Sequence, residues 1–290
     1  MIPTEGIQKI DLHMHTTFSD GTDSPEELLS VVRSEGIGLF SVTDHDAIDG
    51  CRRIKAGLKE GDASFLSGIE LSCRDPEGKY HILGYGYDAD APVIHELVNK
   101  VHSMRMKKLQ ERLAFLRERF SIEFSEEDIS RLYKKNNPGK PHLAELIVKI
   151  GKAINRKQAF DLFLNRIQIH SFPVSPEEAI TAILACGGIP VLAHPPFGDG
   201  KDHITGSELD ERIRRLTAYG LQGVEAYYSS YEEEQRSEIL ALAEKYGLYV
   251  TAGSDYHGGN KEVMPGQTGL ADLKDAPAGL LRFIEAVPYR

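Results

Sequence analysis

Two histidines one residue apart, His13 and His15, close an apolar run near the start of the chain, Ile10-Asp-Leu-His-Met-His-Thr-Thr-Phe-Ser-Asp-Gly21, and Asp20 follows in the same stretch. In an extended strand, residues two apart project to one face, so the two imidazoles can meet a single metal ion. One His-x-His pair is a weak signal. Its weight comes from further residues of the same chemistry: His45 in Thr43-Asp-His45, Glu70 in Gly68-Ile-Glu70, His81, His194 after Val191-Leu-Ala193, and Asp255 and His257 after Gly253. Imidazoles mixed with carboxylates and no thiolate suit Zn, Mn or Fe, without selecting among them. Asp44 and Asp46 flank His45 and are acid/base or ligand-supporting candidates, with helix capping as the plainer role for Asp46. A serine nucleophile is the poorer reading, since no G-x-S-x-G occurs. His95, His102, His170 and His203 fall outside these groups and read as ordinary exposed or capping residues.

Residues so far apart in sequence converge only if a fold brings them together, and the chain alternates strand and helix patterns. Ile7 to His13 reads as a strand; Ser24-Pro-Glu-Glu27 supplies an N-cap, a proline at N1 and a Glu at N3 for a helix through Arg33. Leu39 to His45 is the next strand and Cys51 to Leu58 a helix. Ser64 to Ser72 and Tyr80 to Tyr87 are two strands joined by the turn Asp75-Pro-Glu-Gly78. A long helix over Val98 to Arg119 and short helical segments to Ile169, broken at Asn136-Asn-Pro-Gly139, contain no convincing strand and read as a helical insertion. After the cap Ser175-Pro-Glu-Glu178 the alternation resumes: helix to Ala185, strand Ile189 to Ala193, helix Leu209 to Tyr219, strand Gly223 to Tyr227, helix Glu232 to Lys245, strand Tyr249 to Gly253 and a last helix near Gly279 to Glu285. Repeated β-then-α units with mostly apolar strands predict an α/β protein, a parallel sheet covered by helices that closes or nearly closes into a barrel; an open doubly wound sheet is the alternative. The ligand-type residues then fall at strand ends, which in a barrel gather at one mouth.

Composition bounds the function. The 290 residues carry a net charge of -10, which argues against nonspecific coating of nucleic acid and stable DNA binding. Between Lys100 and Arg166, however, 16 Lys/Arg stand against 8 Asp/Glu, a local +8 inside an acidic body. That segment reads either as a solvated helical face or as a basic module facing an anionic substrate. Cys51, Cys73 and Cys186 are widely spaced, with no C-x-x-C, and fit reduced thiols. No window approaches a membrane span, and the N-terminus lacks a basic region followed by an apolar one, so a cytoplasmic location is the expectation.

The motifs His13-Met-His15, Asp20-Gly21, Thr43-Asp-His45, Gly68-Ile-Glu70, His81-Ile-Leu-Gly84, Ala193-His-Pro195 and Gly253-Ser-Asp-Tyr-His257, in this order over residues 7 to about 270, resemble those of the polymerase and histidinol phosphatase (PHP) family. The resemblance implies a distorted (β/α)7 barrel, residues 1–97 and 171–290, with a helical insertion, 98–170, as a substrate cap. It also implies three divalent transition-metal ions, Mn, Fe or Zn. By the same carry-over His13, His15, Glu70 and Asp255 hold the first, Glu70, His81 and His194 the second, and Asp20, His45 and His257 the third, with Glu70 as a bridge. Glu70, Asp255 and His194 are the implied catalytic set, around hydroxide rather than a side-chain nucleophile. The branch of tryptophan-operon-linked PHP proteins, which removes the 3′-phosphate of nucleoside 3′,5′-bisphosphates and trims short RNA from its 5′ end, is the most similar. Gly139-Lys-Pro-His142 resembles that branch's R-P-H insertion motif, which implies Lys140 and His142 as substrate-binding residues. Lys140 stands where arginine is commoner and offers a point charge in place of a bidentate fork; the same residues also read as an ordinary helix start. The alternatives are a phosphatase of histidinol phosphate or another small monoester, and a noncatalytic regulatory PHP module with structural metals.

Overall fold

In the computed structural model, which describes residues 7–135, 138–167, 174–198 and 203–288, seven strands form one sheet in chain order: β1 (Lys9–Asp11), β2 (Ile37–Val42), β3 (Ser64–Asp75), β4 (Gly78–Tyr85), β5 (Ile189–Leu192), β6 (Gly223–Tyr228) and β7 (Tyr249–Gly253). Neighbours are parallel except at β4, which runs antiparallel to both β3 and β5. Past the end of β1 the backbone continues extended beside β7. Leu12 N–H donates to Ala252 O at 2.9 Å, Asp255 N–H to His13 O at 2.8 Å and His15 N–H to Tyr256 O at 2.9 Å. The first and last strands are thereby joined and the sheet closes into the expected seven-stranded barrel, whose distortion lies in the β3–β4 hairpin.

The hairpin follows from its turn. Asp75 Oδ1 accepts the N–H groups of Glu77 at 3.0 Å and Gly78 at 3.1 Å, which reverses the chain after two residues where a parallel crossover would need a helix. Val42, the last residue of β2, pairs with Ser67, so β3 continues beyond the end of β2, paired with β4 on one side and met on the other by the loop 44–46. There Asp46 N–H donates to Glu70 O at 2.9 Å and Glu70 N–H to Asp44 O at 3.3 Å. Glu70, opposite Leu83, and His81, opposite Ser72, lie on that overhang. A reversed strand presents its early residues at the mouth where the parallel strands present their last ones.

Helices α1 (Pro25–Ser34) and α2 (Asp49–Gly57) follow β1 and β2; α7 (Pro176–Ala185), α8 (Gly206–Ala218), α9 (Glu233–Lys245) and α10 (Ala278–Ala286) serve the second half. Ser24 and Glu27 form a reciprocal cap on α1, with Glu27 N–H donating to Ser24 Oγ at 3.3 Å and Ser24 N–H to Glu27 Oε2 at 2.8 Å. Ser175 accepts the Glu178 N–H at 3.1 Å on α7. Leu28, Leu29 and Val32 of α1 and Ile54 of α2 pack with Phe40, Val42 and Phe65 of the strands. Cys51, Cys73 and Cys186 are all buried and free.

The chain divides into two compact units, Met1–Val98 with Val174–Arg290 and Asn99–Pro173. The second unit consists of most of α3 (Pro92–Phe120), α4 (Glu126–Tyr133), α5 (Lys140–Lys149) and α6 (Arg156–Leu162). It has its own core of Leu109, Leu116, Ile122, Leu132, Leu143, Ile147 and Leu164. Asn136 and Asn137 of the expected breaker, and His170, lie outside the described residues. Among the described residues, no helix is long and apolar enough to cross a membrane.

Candidate metal centre

The nine candidate ligands lie in the barrel unit, and their ring nitrogens and carboxylate oxygens meet at one mouth. His13 Nε2, His15 Nε2, Glu70 Oε2 and Asp255 Oδ1 make one group. The two nitrogens are 3.1 Å apart, each is 3.2 Å from Glu70 Oε2, and they are 3.5 and 3.2 Å from Asp255 Oδ1. Four ligands held about 2.0 to 2.2 Å from a tetrahedral ion stand roughly 3.3 to 3.6 Å from one another, so these spacings fit a cation at their centre. Glu70 Oε1 faces the other way, 2.9 Å from His81 Nδ1 and 3.3 Å from His194 Nε2, with those two nitrogens 3.2 Å apart. Asp20 forms a looser third group, 3.3 Å from His257 Nε2, 3.8 Å from His15 Nδ1 and 4.0 Å from His45 Nε2. His45 also turns Nδ1 to within 3.2 Å of Glu70 Oε2, so it touches two groups.

The polar atoms argue for cations independently. Glu70 Oε2, His45 Nδ1 and Asp20 Oδ1 are buried without a hydrogen-bond partner. Such groups would be expensive to fold around unless a positive charge met them. Burial alone would raise the Glu70 carboxyl, yet the imidazoles of His45, His13 and His81 hold it well below the usual carboxylate range. Asp255 is likewise held low, against its burial, by His13 and His15. Burial brings His45 down to about 4, which leaves a neutral ring with one nitrogen lone pair to donate.

Residues around the ligands fix their orientation. Glu225 Oε1 meets His13 Nδ1 at 2.9 Å and its Oε2 accepts the His194 N–H at 2.9 Å. His257 Nδ1 contacts Asp255 O at 2.8 Å. The contacts to His13 and His257 each occupy Nδ1 and leave Nε2 for a metal, while the contact to His194 fixes its backbone. Asp44 accepts from Thr16 N, Thr16 Oγ1 and Ser19 Oγ, each at 2.7 Å, and so clamps the loop that carries Asp20. Asp46 does not cap α2; its Oδ1 accepts the Ser72 N–H at 2.9 Å. Asp11 accepts from Ser254 N at 3.0 Å and Gly266 N at 2.7 Å, and burial lifts its pKa to about 6. Three of the four non-glycine residues with positive φ among those described, Asp46, His194 and Asp255, belong to this mouth, the kind of strain that collects at functional sites.

The mouth is an open cleft of about 450 Å³ lined by Asp20, His45, Glu70, His81, His194, Asp255 and His257, and also by Phe197, Tyr228, Ser230 and Lys261. Tyr228 donates to Asp255 Oδ2 at 2.8 Å, and Lys261 Nζ reaches the same oxygen. Lys140 and His142 lie in the second unit, in the first turn of α5, where Gly139 N–H donates to His142 Nδ1 at 3.1 Å; none of the ligand groups includes them. His203 is exposed, as expected, whereas His95 is partly buried and its Nε2 lies 3.1 Å from the Arg52 guanidinium. Glu225, Asp11, Tyr228, Lys261 and Phe197 escape the sequence reading. The two acids had a signal, a lone carboxylate inside an apolar strand.

Comparison with known proteins adds the following. A family model described as the PHP domain matches residues 11–158. The chain is 30% identical to a 5′-3′ exoribonuclease of Haemophilus influenzae over 86% of this chain and 90% of that one. It is 27% identical to a 3′,5′-nucleoside bisphosphate phosphatase of Chromobacterium violaceum over 87% and 88%. It is 28% identical to a phosphoribosyl 1,2-cyclic phosphate 1,2-diphosphodiesterase of Eggerthella lenta over 86% and 94%. Among solved structures, a Bifidobacterium adolescentis protein assigned as a metal-dependent phosphoesterase superposes with a TM-score of 0.80 at 27% identity, covering 99% and 98% of the two chains.

Proposed function

This chain belongs to the PHP family, and from that membership we propose that it is a metal-dependent phosphoesterase that removes the 3′-phosphate from nucleoside 3′,5′-bisphosphates. The observation that carries the hydrolytic part is the convergence of His13, His15, Glu70 and Asp255 at ligand spacing, with Glu70 offering its second oxygen to His81 and His194. Divalent cations held by these residues and by Asp20, His45 and His257 would supply Lewis acidity toward phosphoryl oxygens and a water acidified enough to attack at neutral pH. The protein's own part is orientation and charge. Glu225 and the Asp255 carbonyl keep the ligand rings turned to the cleft, Asp44 holds the Asp20 loop, and Lys261 adds a cation at the wall where an anionic ester enters.

The substrate reading rests on the local +8 of the insertion and on Lys140 and His142. A helix N-terminus favours negative charge, and these two residues open α5. We assign them the second, unreacting phosphate. Binding energy from that remote group positions the ester for attack and raises turnover as well as affinity. Relatives of similar coverage are named for a bisphosphate, RNA and a cyclic phosphate, so the test is a panel. Protein loaded with Mn, Zn or Fe is assayed for metal content and for kcat/KM on adenosine 3′,5′-bisphosphate, a short 5′-phosphorylated RNA, a ribosyl 1,2-cyclic phosphate, histidinol phosphate and an aryl phosphate. We expect three ions per chain and preference for the bisphosphate, with adenosine 5′-monophosphate and phosphate as products. Lys140→Ala and His142→Ala should lose far more on the bisphosphate than on the aryl ester. Equal losses on both, or preference for histidinol phosphate, would overturn the substrate. Loaded protein that releases phosphate from nothing would favour a regulatory module.

A further inference from the structure

One wall of the cleft contains no ligand. Phe197 and Tyr228 border the same cavity as Glu70, His81 and His194. Phe197 ends the short turn Pro195–Phe197 that begins at His194, and its N–H donates to His194 O at 2.9 Å. Two prolines restrict that turn, so the place of the phenyl ring is tied to the place of the imidazole. The Phe197 ring lies 5.7 Å from Tyr228 and 5.6 Å from Tyr231, and the two tyrosines are 5.1 Å apart. Both phenols are anchored, Tyr228 to Asp255 and Tyr231 to the Glu225 carbonyl at 3.3 Å. Tyr228 in turn lies 5.6 Å from His194, ring to ring. Phe197 has no polar tether and is only partly buried. The His203 ring also meets it edge-on, 5.5 Å away, and an apolar ring fixed at the edge of a cleft otherwise lined by charged, imidazole and hydroxyl groups gains by covering what remains exposed with another flat ring.

We propose that Phe197, backed by Tyr228 and Tyr231, is the platform on which the ring of the leaving alcohol stacks while its phosphate sits among the ligands. The favoured substrates are then phosphate esters whose alcohol carries a planar ring. For the bisphosphate reading above, on which this inference rests, that ring is the nucleobase, and Ser230 at the same wall offers a hydroxyl to its polar edge.

Phe197→Leu keeps apolar bulk and removes the ring; Phe197→Ala removes both. Both variants and the parent protein are loaded with metal, their metal content is measured, and kcat/KM is determined on two matched pairs. The first pair is adenosine 3′,5′-bisphosphate and its methyl riboside counterpart without a base; the second is 1-naphthyl phosphate and glycerol 2-phosphate. Because base-aromatic stacking is lost, each variant should fall about tenfold further on the ring-bearing member than on its partner, chiefly through KM, with metal content as in the parent. Equal losses within both pairs, or loss of metal from Phe197→Leu, would overturn the platform and leave Phe197 as a packing residue. If the parent protein shows no preference for the bisphosphate, the substrate reading fails and the naphthyl and glycerol pair alone decides the platform.

Discussion

Glu225 touches ligands of two neighbouring groups, His13 through one oxygen and the backbone of His194 through the other. It is completely buried; one contact keeps the His13 ring turned and the other holds the backbone from which the His194 ring projects. Glu225→Gln keeps the shape but removes the charge and one acceptor. We expect metal affinity to fall about 10- to 100-fold, the usual effect of losing such a support, with the far-UV spectrum unchanged. Competition against a chromophoric chelator measures it, and parent-like retention would show that Glu225 serves packing alone. The contrast with the ligands is instructive. His13, His15 and His257 were legible because imidazoles at strand ends are uncommon and repeat at spacings that chemistry requires. Glu225 was hidden because a single acid within Gly223-Val-Glu-Ala226 says nothing about its partners until β6 is set beside β7 and β1. His15 and His45, each close to two ligand groups, needed the same knowledge.

At the scale of elements, the end of β7 must come very close to the end of β1. A side chain at Gly253 would place its Cβ 2.2 Å from His13 Cβ and 2.5 Å from Glu225 Oε1. No flexible group can yield there, since both neighbours belong to the ligand scaffold. Gly253→Ala should therefore destabilise by about 1–3 kcal/mol through overcrowding and loosen metal retention together. A thermal melt and a metal assay on one sample test this; a lowered Tm with full metal retention would uncouple the two. Strands and helices were readable to within a few residues because capping residues and apolar runs mark them, as Ser24 and Ser175 do. The overhang of the β3–β4 hairpin was not. The turn at Asp75 announces a reversal, but only register places Glu70 and His81 beyond the end of β2.

On the scale of the whole molecule, the two units have separate cores, and the basic insertion was visible in sequence as a change in charge and periodicity. What no pattern could give was the burial of the thiols. Cys51, Cys73 and Cys186 all belong to the barrel unit, each is buried, and burial raises each thiol, that of Cys51 to about 12. Thiolate, the reactive form, is thus scarce while the barrel is shut. The chain thereby carries a native reporter of barrel opening to which the helical unit is silent. In buffer without denaturant, an alkylating reagent should modify the three cysteines slowly. Stripping the metals should speed modification markedly, because ions that bind only the folded barrel suppress its opening. Mass spectrometry of the labelled chain reads the result: equal rates with and without metal would mean that the ions contribute nothing to holding the barrel closed.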